Sequence, residues 1–286
     1  MQAALPHGIP TNVPPKNSPS SDPRHNDQAK NDQPKNDPPQ NDPREKLIVA
    51  LDVSTAAAAQ KIVAAVGDSA LTYKVGMQLY TAEGPQLVRD LVASGRRVFL
   101  DLKYHDIPNT VAAAVREAAQ LGVSMLTVHA TGSAKMLRAA AEAARAAAEA
   151  ARAAAEAARA ANPTLIVLAV TVLTSMDEAD LEKVGINGTV VDEVLRLASL
   201  ALENGCQGIV ASGQEASALR QKLGNDFAIV TPGVRPAGAG HADQARVLTP
   251  AEAIAAGASH IVVGRPITEA ADPAAEAQSI LRQIGQ

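Results

Sequence analysis

Cysteine and aromatic residues are scarce in this sequence of 286 residues. The chain has one Cys and no Trp, and aromatic residues make up 2% of the total. A single Cys excludes an intramolecular disulfide framework and a cysteine-rich zinc site. Because so few aromatic residues are available, the core must be built from Val, Leu, Ile and Ala, which favours an α/β fold over an aromatic-rich β-sandwich.

The chain also lacks a surplus of positive charge and a long apolar run. Its formal net charge of −4 argues against nucleic-acid binding, and no run of about 18 apolar residues free of charge is available to span a membrane. The N-terminal residues contain no apolar segment typical of a secretory signal and are too rich in Asp for a transit peptide. We therefore expect a cytoplasmic protein that binds neither nucleic acid nor a membrane.

Residues 1–45 differ in composition from the rest of the chain. They hold most of the prolines and a five-residue repeat whose units begin with Asn-Asp at positions 26, 31, 36 and 41. Few side chains in this segment can be buried to offset the entropy lost on ordering. We therefore expect a disordered N-terminal tail over residues 1–45 and a folded domain over residues 46–286.

Short apolar runs separated by stretches of helical length begin after Lys46. There are eight runs: Leu47–Leu51, Leu71–Val75, Val98–Leu102, Met125–Val128, Leu165–Val172, Gly208–Ala211, Ala228–Thr231 and His260–Val263. Helical stretches between them include Thr55–Val66, Glu83–Ala93, Thr110–Gln120, Val190–Glu203 and Gln214–Lys222. Continuous apolar runs are typical of parallel strands covered on both faces. The pattern predicts an α/β fold, a single-domain (β/α)8 TIM barrel.

A doubly wound open sheet is the alternative fold. Its first strand is normally followed by a glycine-rich turn that binds a dinucleotide. In this sequence Asp52-Val53-Ser54 stands at that position. The barrel is therefore the favoured interpretation.

An alanine-rich segment follows the fourth predicted strand. Ala139–Arg159 consists of three copies of Ala-Ala-Ala-Glu-Ala-Ala-Arg, and 17 of the 23 residues over Ala139–Ala161 are Ala. Alanine has the highest helix propensity, and Glu and Arg lie three and four residues apart, so a helical insertion ending near Asn162-Pro163 is predicted. A straight helix from Ser133 to Ala161 would be about 43 Å long, so we expect the segment to bend or double back. We assign it no chemistry.

Charged residues follow the first three predicted strands. Asp52 follows the first, Lys74 lies at the end of the second, and Asp101, Lys103 and Asp106 follow the third. Reactive groups of a (β/α)8 barrel lie at the C-terminal ends of its strands, and residues two apart in a strand point the same way. An isolated Asp-x-Lys-x-x-Asp is more often a surface turn, but this one lies between an apolar strand and a helix. We interpret Lys74, Asp101, Lys103 and a further Asp as an alternating charge network that stabilises developing charge.

Several segments resemble the orotidine 5′-phosphate decarboxylase family. The most specific is Asp101–Thr110, which reads Asp-Leu-Lys-Tyr-His-Asp-Ile-Pro-Asn-Thr. The similarity continues, in the family's order, through Leu47–Asp52, Thr72–Gly76, Val128–Ala130, Leu173–Ser175, Thr231–Arg235 and Val263–Pro266. These segments are spread over nearly all of Lys46–Pro273, so only the tail and the alanine repeat lie outside the resemblance.

The resemblance implies decarboxylation of orotidine 5′-monophosphate (OMP) to UMP and CO2 in pyrimidine biosynthesis, with no cofactor and no metal. Loss of CO2 from C6 leaves a carbanion without an electron sink, so the site must stabilise negative charge and supply a proton. Lys103 is suited to both tasks. Asp101 would lie beside the substrate carboxylate and orient Lys103. Because Lys103 supplies the proton, we expect His105 and His129 to be structural.

The resemblance also implies the binding residues and a homodimer. Asp106 and Thr110 would reach into the neighbouring subunit's site. The remaining ligands follow from matched motifs, with Asp52 and Lys74 on the ribose, Thr174 and Ser175 on the pyrimidine, Gly264 and Arg265 on the phosphate, and Arg235 and Gln244 beside a flexible lid over Pro236–Asp243.

Two other interpretations compete with this one. Mg²⁺-dependent barrel lyases, such as 3-keto-gulonate-phosphate decarboxylase and hexulose-phosphate synthase, share Asp-x-Lys-x-x-Asp but carry an acidic metal ligand where this chain has Lys74. A cation at that position would repel the metal, so Lys74 argues against them. The second is a catalytically inactive barrel that displays the alanine-rich helix, and the intact charge network argues against it.

Overall fold

A closed barrel of eight parallel strands forms the centre of the fold. The computed structural model describes residues 42–158, 165–236 and 248–285, which lie within one compact unit. The strands are β1 (Leu47–Ala50), β2 (Thr72–Gly76), β3 (Arg97–Tyr104), β4 (Met125–His129), β5 (Ile166–Val170), β6 (Gly208–Val210), β7 (Ala228–Thr231) and β8 (His260–Val263). They pair in chain order, and β8 pairs with β1 to close the barrel. The predicted (β/α)8 barrel is confirmed.

Helices lie between the strands along the chain. They are α1 (Ala56–Val66), α2 (Met77–Ala93), α3 (Pro108–Gln120), α4 (Ser133–Ala158), α5 (Glu178–Lys183), α6 (Val190–Glu203), α7 (Gly213–Leu223), α8 (Pro250–Ala255), α9 (Arg265–Thr268) and α10 (Pro273–Ile284). α2 is interrupted at Gly84, which has a φ of 70° and precedes Pro85. Among the described residues, no helix is long and apolar enough to cross a membrane.

Polar side chains at the helix starts explain where several helices begin. The Thr55 hydroxyl accepts a hydrogen bond from the Ala58 amide at the start of α1. Thr249 and Glu252 form a reciprocal capping box at the start of α8. Each cap satisfies an amide that has no acceptor within the helix. These caps mark the points at which α1 and α8 begin.

Apolar side chains form two layers, one on each side of the strands. The inner layer fills the barrel and consists of Ile48, Ala50, Phe99, Met125, Leu168, Val230 and Val262. The outer layer, which includes Leu47 and Val49 of β1, packs beneath the helices. Successive residues of a strand alternate between these layers. The continuous apolar runs of the sequence reflect burial on both faces.

The folded domain begins earlier than the sequence predicts. Pro43–Glu45 forms a short 3-10 helix capped by Asp42, whose exposed fraction is 8%. Arg44 pairs with Asp42, and Arg97 of β3 pairs with Glu45. The expected boundary at residue 45 is therefore too late, because ion pairs rather than apolar burial hold residues 42–45 in place. Residues 1–41 lie outside the described part of the chain.

The alanine-rich segment belongs to a single helix. α4 runs without a break from Ser133 to Ala158, so the predicted helix is confirmed and the expected bend or reversal is wrong as far as Ala158. No Gly or Pro is present to interrupt the helix. The seven residue steps from Ala158 to Leu165 can span about 24 Å, so a helix that is straight as far as Ala158 is compatible with a return to β5. Residues 159–164 lie outside the described ranges.

Burial along α4 falls from the first copy of the repeat to the second. Ala140, Ala141, Ala143 and Ala144 are buried, whereas Ala146 and Ala150 are exposed. The first copy therefore packs as part of the helical layer of the barrel. Ala140, Ala143 and Ala144 of this copy belong to the outer core layer.

Candidate active site

A cavity of about 440 Å³ opens at the C-terminal ends of the strands. Seven of the eight strands contribute to its lining through their ends or the loops that follow, and β4 contributes no lining residue. Its polar lining residues are Asp52, Lys74, Asp101, Lys103, Thr174, Arg235, Arg265 and Glu269. Apolar lining comes from Phe99 and from valines of β5 to β8. This edge is where (β/α)8 barrels place their active sites.

Four charged side chains form a row in this cavity. The Lys74 ammonium lies 2.8 Å from Asp52 Oδ1 and 3.9 Å from Asp101 Oδ2. Lys103 Nζ lies 2.8 Å from Asp101 Oδ1. The row therefore alternates in sign, from Asp52 through Lys74 and Asp101 to Lys103. Each charged group in the row therefore has a neighbour of opposite charge.

Exposure differs along the row. The side chains of Lys74 and Asp101 are 12% and 15% exposed, whereas that of Asp52 is 61% exposed. Lys103, at the other end, is 25% exposed. The strongest electrostatic effects are therefore expected around Lys74 and Asp101, the two least exposed groups of the row.

Gly76 provides space for the Lys74 ammonium. A Cβ atom at residue 76 would lie 3.1 Å from Lys74 Nζ and 3.5 Å from Asp52 Oδ1. The backbone at Gly76 has a φ of −93°, which any residue can adopt. The reason for glycine at this position is therefore the close approach of the ion pair.

The backbone at the end of β3 is irregular. Phe99 and Leu100 pair with Met125 and Leu126, but the register then shifts, so that Tyr104 pairs with Val128. Within the shifted stretch, Lys103 has a φ of 53°, a conformation that costs a non-glycine residue about 1–3 kcal/mol. The sequence predicts that Asp101 and Lys103 are neighbours because side chains two residues apart in a regular strand point the same way. This segment is not a regular strand. A bulged backbone brings the two groups together instead.

Comparisons with known proteins identify relatives of this chain. The sequence model of the orotidine 5′-phosphate decarboxylase / HUMPS family matches residues 45–280. The chain is 52% identical to the orotidine 5′-phosphate decarboxylase of Halorhodospira halophila over 239 residues. This alignment covers 84% of this chain and 95% of that protein. The corresponding protein of Moorella thermoacetica is 50% identical over 242 residues, covering 84% of this chain and 92% of its own.

A solved structure extends the similarity to three dimensions. The crystal structure of orotidine 5′-phosphate decarboxylase from Lactobacillus acidophilus matches with a TM-score of 0.73 and 36% identity, over 85% of this chain and 100% of that one. This chain belongs to the orotidine 5′-phosphate decarboxylase / HUMPS family. The resemblance drawn from its motifs is confirmed, as is the expectation of a carbon–carbon lyase of this family.

Other candidate residues of this family member lie after β7 and β8. Arg235, Gly264 and Arg265 line the cavity. The Arg235 amide donates a hydrogen bond to the Leu248 carbonyl over 3.0 Å, so the two ends of the intervening loop lie together. The expected lid over Pro236–Asp243 and its neighbour Gln244 fall, apart from Pro236, outside the described residues.

Three predicted site residues do not line this cavity. Asp106 is exposed, and its carboxylate accepts a hydrogen bond from the Ile107 amide over 2.7 Å. Thr110, in the first turn of α3, and Ser175, after β5, are also exposed. The single chain thus brings Asp52, Lys74, Asp101 and Lys103 together but leaves Asp106 and Thr110 on its surface.

The rings of the two histidines near the site contact one another at a tilt of 37°. The rings of His105 and His129 have centroids 5.5 Å apart, and neither residue lines the cavity. Burial lowers the pKa of His129, and the neighbouring His105 and Lys103 lower it further. A neutral His129 at physiological pH adds no charge to the row.

Sequence reasoning missed two polar residues of this region. Glu269, at the end of α9, brings a further carboxylate to the cavity, and no strand-end pattern marks it. Thr127 is fully buried in β4 and hydrogen-bonds to both Asp101 and the Lys103 backbone. Its signal in the sequence is one polar residue within the apolar run Met125–Val128.

Proposed function

We propose that this protein decarboxylates OMP to UMP and CO2 with no cofactor, and that Lys103 donates the proton that replaces CO2 at C6. The supporting observation is the alternating row that ends in the contact of 2.8 Å between Lys103 Nζ and Asp101 Oδ1. This row lines a cavity of about 440 Å³, a volume typical of small-molecule sites. Membership of the orotidine 5′-phosphate decarboxylase / HUMPS family supports the same substrate.

In the proposed reaction, the bond between C6 and the carboxylate breaks, and its electron pair remains on C6. The Lys103 ammonium stabilises this negative charge and then transfers a proton to C6, which gives UMP. The resulting amine regains a proton from water. Asp101 lies beside the substrate carboxylate, and their repulsion decreases as CO2 leaves.

The other predicted site residues bind the parts of OMP that do not react. Asp52 and Lys74 hold the ribose hydroxyls, while Thr174 and Ser175 recognise the pyrimidine. Gly264 and Arg265 bind the phosphate, and Arg235 and Gln244 flank the loop that follows β7. Binding energy from the phosphate offsets the unfavourable placement of two carboxylates together.

The active form in this proposal is a homodimer in which Asp106 and Thr110 complete the neighbouring site. Both residues are exposed, and the apolar side chain of Ile107 between them is 67% exposed.

A mixing experiment tests this arrangement. Lys103→Ala and Asp106→Ala homodimers are each inactive, but random heterodimers contain one unmodified site and restore about a quarter of the wild-type activity. No recovery on mixing, with dimer exchange verified, would exclude a shared site.

Lys103→Ala tests the proton donor. We expect UMP formation from OMP to fall at least about a thousandfold, because general acid catalysis and charge stabilisation are lost together. Lys183→Ala is the matched control, since the Lys183 side chain is 74% exposed and pairs only with Asp180 at the surface. Equal turnover by Lys103→Ala and the wild type would contradict the mechanism.

Chelation separates this reaction from that of Mg²⁺-dependent barrel lyases. Lys74 stands between Asp52 and Asp101, where its ammonium would oppose a divalent cation. We expect UMP formation to be unchanged in excess EDTA. Loss of activity in EDTA, with recovery on adding Mg²⁺, would favour the metal-dependent alternative.

A further inference from the structure

Thr127 is a buried polar residue on the inner side of β4. Its exposed fraction is 0%, and it lies two residues after Met125, which belongs to the layer inside the barrel. Thr127 does not line the cavity, and β4 contributes no other lining residue. Any effect of this side chain on substrate is therefore exerted through its neighbours.

The Thr127 hydroxyl connects both functional groups of β3. Its oxygen accepts a hydrogen bond from the Lys103 amide over 2.9 Å. Its proton is donated to Asp101 Oδ1 over 3.0 Å. The same carboxylate oxygen accepts a hydrogen bond from Lys103 Nζ over 2.8 Å. One hydroxyl thus uses its donor and an acceptor position at once, and it links the Lys103 backbone to the oxygen that holds the Lys103 ammonium.

The register of the two strands explains why a side chain performs this task. Between the Leu100–Leu126 and Tyr104–Val128 pairs, β3 has three residues, Asp101 to Lys103, whereas β4 has only Thr127. The Lys103 amide therefore donates to the Thr127 side chain rather than to a backbone carbonyl. Lys103 has a φ of 53° in this bulge, and such a conformation persists only where its surroundings hold it.

We propose that Thr127 is a positioning residue, whose hydroxyl holds the Lys103 backbone and the Asp101 carboxylate in the geometry that the reaction needs. This inference rests on the proposed decarboxylation of OMP. Thr127 acts on the reacting atoms only through Asp101 and Lys103. It should therefore affect the chemical step more than the binding of a ligand that has no carboxylate at C6.

Thr127→Val and Thr127→Ser test this proposal. Val has nearly the same shape but no hydroxyl, and we expect kcat to fall about 10–100-fold, as for other small displacements of reacting groups. We expect the KM for OMP and the inhibition constant of UMP to change by less than about threefold, since the groups that bind ribose and phosphate are unaffected. Thr127→Ser restores the hydroxyl and should keep kcat within about threefold of the wild type.

Thr171→Val is the matched control. Thr171 is also a buried threonine, and its hydroxyl donates to the Val210 carbonyl over 3.0 Å rather than to a group of the charge row. We expect this variant to lose thermal stability but to retain the wild-type kcat. If Thr127→Val keeps the wild-type kcat, or if Thr127→Ser loses as much as Thr127→Val, the positioning role is wrong. Should Thr127→Val fail to fold, Thr127→Cys replaces it, because Cys matches Ser in size but is a weak hydrogen-bonding group.

A crystal structure of Thr127→Val gives a readout that is independent of turnover. We expect Lys103 to leave its positive φ or its ammonium to move away from Asp101. Unchanged geometry of both groups would contradict the proposal even if kcat fell. A wild-type protein that forms no UMP from OMP would instead contradict the proposed function, so the two failures are distinguishable.

Discussion

The end of β3 and the alanine-rich part of α4 differ in how regular their backbone geometry is. At the end of β3 the strand register shifts, Lys103 takes a positive φ, and two opposite charges lie 2.8 Å apart. α4 instead continues regular helix over 26 residues, built from the residue with the highest helix propensity. The first region departs from regular geometry where polar groups must meet, and the second repeats regular geometry along one helix.

The two regions therefore differ in how they should respond to substitution. Around Asp101, side chains of β1 to β4 share hydrogen bonds and ion pairs, so a change at one position displaces the others. Along α4, burial decides the response, because Ala144 is 1% exposed whereas Ala150 is exposed. Substitutions near the charge row should alter catalysis. Substitutions in α4 should lower stability at buried positions and have little effect at exposed ones.

Gly76→Ala tests the sensitivity of the charge row without removing any of its members. A Cβ atom 3.1 Å from Lys74 Nζ forces the ammonium to shift by a few tenths of an ångström relative to Asp52 and Asp101. We expect kcat/KM for OMP to fall about 10–100-fold, with little change in melting temperature because the backbone at Gly76 is unstrained. Wild-type kcat/KM in this variant would show that the row tolerates displacement and would remove the contrast with α4.

Ala144→Leu measures how far the buried part of α4 belongs to the barrel. Leu adds three carbons at a position that is 1% exposed, and overpacking of this kind costs about 1–3 kcal/mol of unfolding free energy. Ala150→Leu is the matched control in the same helix, at an exposed position, and should change stability by less than about 0.5 kcal/mol. Denaturant unfolding provides both values, and kcat should be unchanged in either variant. Equal destabilisation by both substitutions would mean that burial does not distinguish the two copies.

The same contrast explains what the sequence predicts well and what it does not. Eight strands are predictable because burial on both faces leaves continuous apolar runs, and α4 is predictable because alanine propensity dominates a long segment. Asp52, Lys74, Asp101 and Lys103 are predictable as neighbours because parallel strand ends meet at one edge of the barrel. These are properties of single segments and of fold topology.

The bulge at the end of β3 depends on the pairing of two strands and so cannot be predicted from either strand alone. The shift that places Thr127 opposite three residues of β3 has no periodic signal. Glu269 reaches the cavity from the residue after α9, a helix of four residues that is too short for a hydrophobic pattern. Residues 42–45 were assigned to the tail because their attachment depends on the distant Arg97. Each of these features is produced by a tertiary contact.

Deletion of one whole repeat from α4 should have the smallest effect. Because the three copies are identical, removal of any one gives the same chain, and the next copy supplies alanines at positions 140, 141, 143 and 144. Seven residues are close to two helical turns, so the later residues rotate by only about 20°. We expect kcat/KM within about twofold of the wild type and a nearly unchanged melting temperature.

Deletion of Ala140 alone is the informative control, because it moves Glu142 and Arg145 into the buried positions 141 and 144 and should destabilise the barrel by several kcal/mol. If losing seven residues is as damaging as losing one, the outer copies of α4 have a role in folding that their exposure does not indicate.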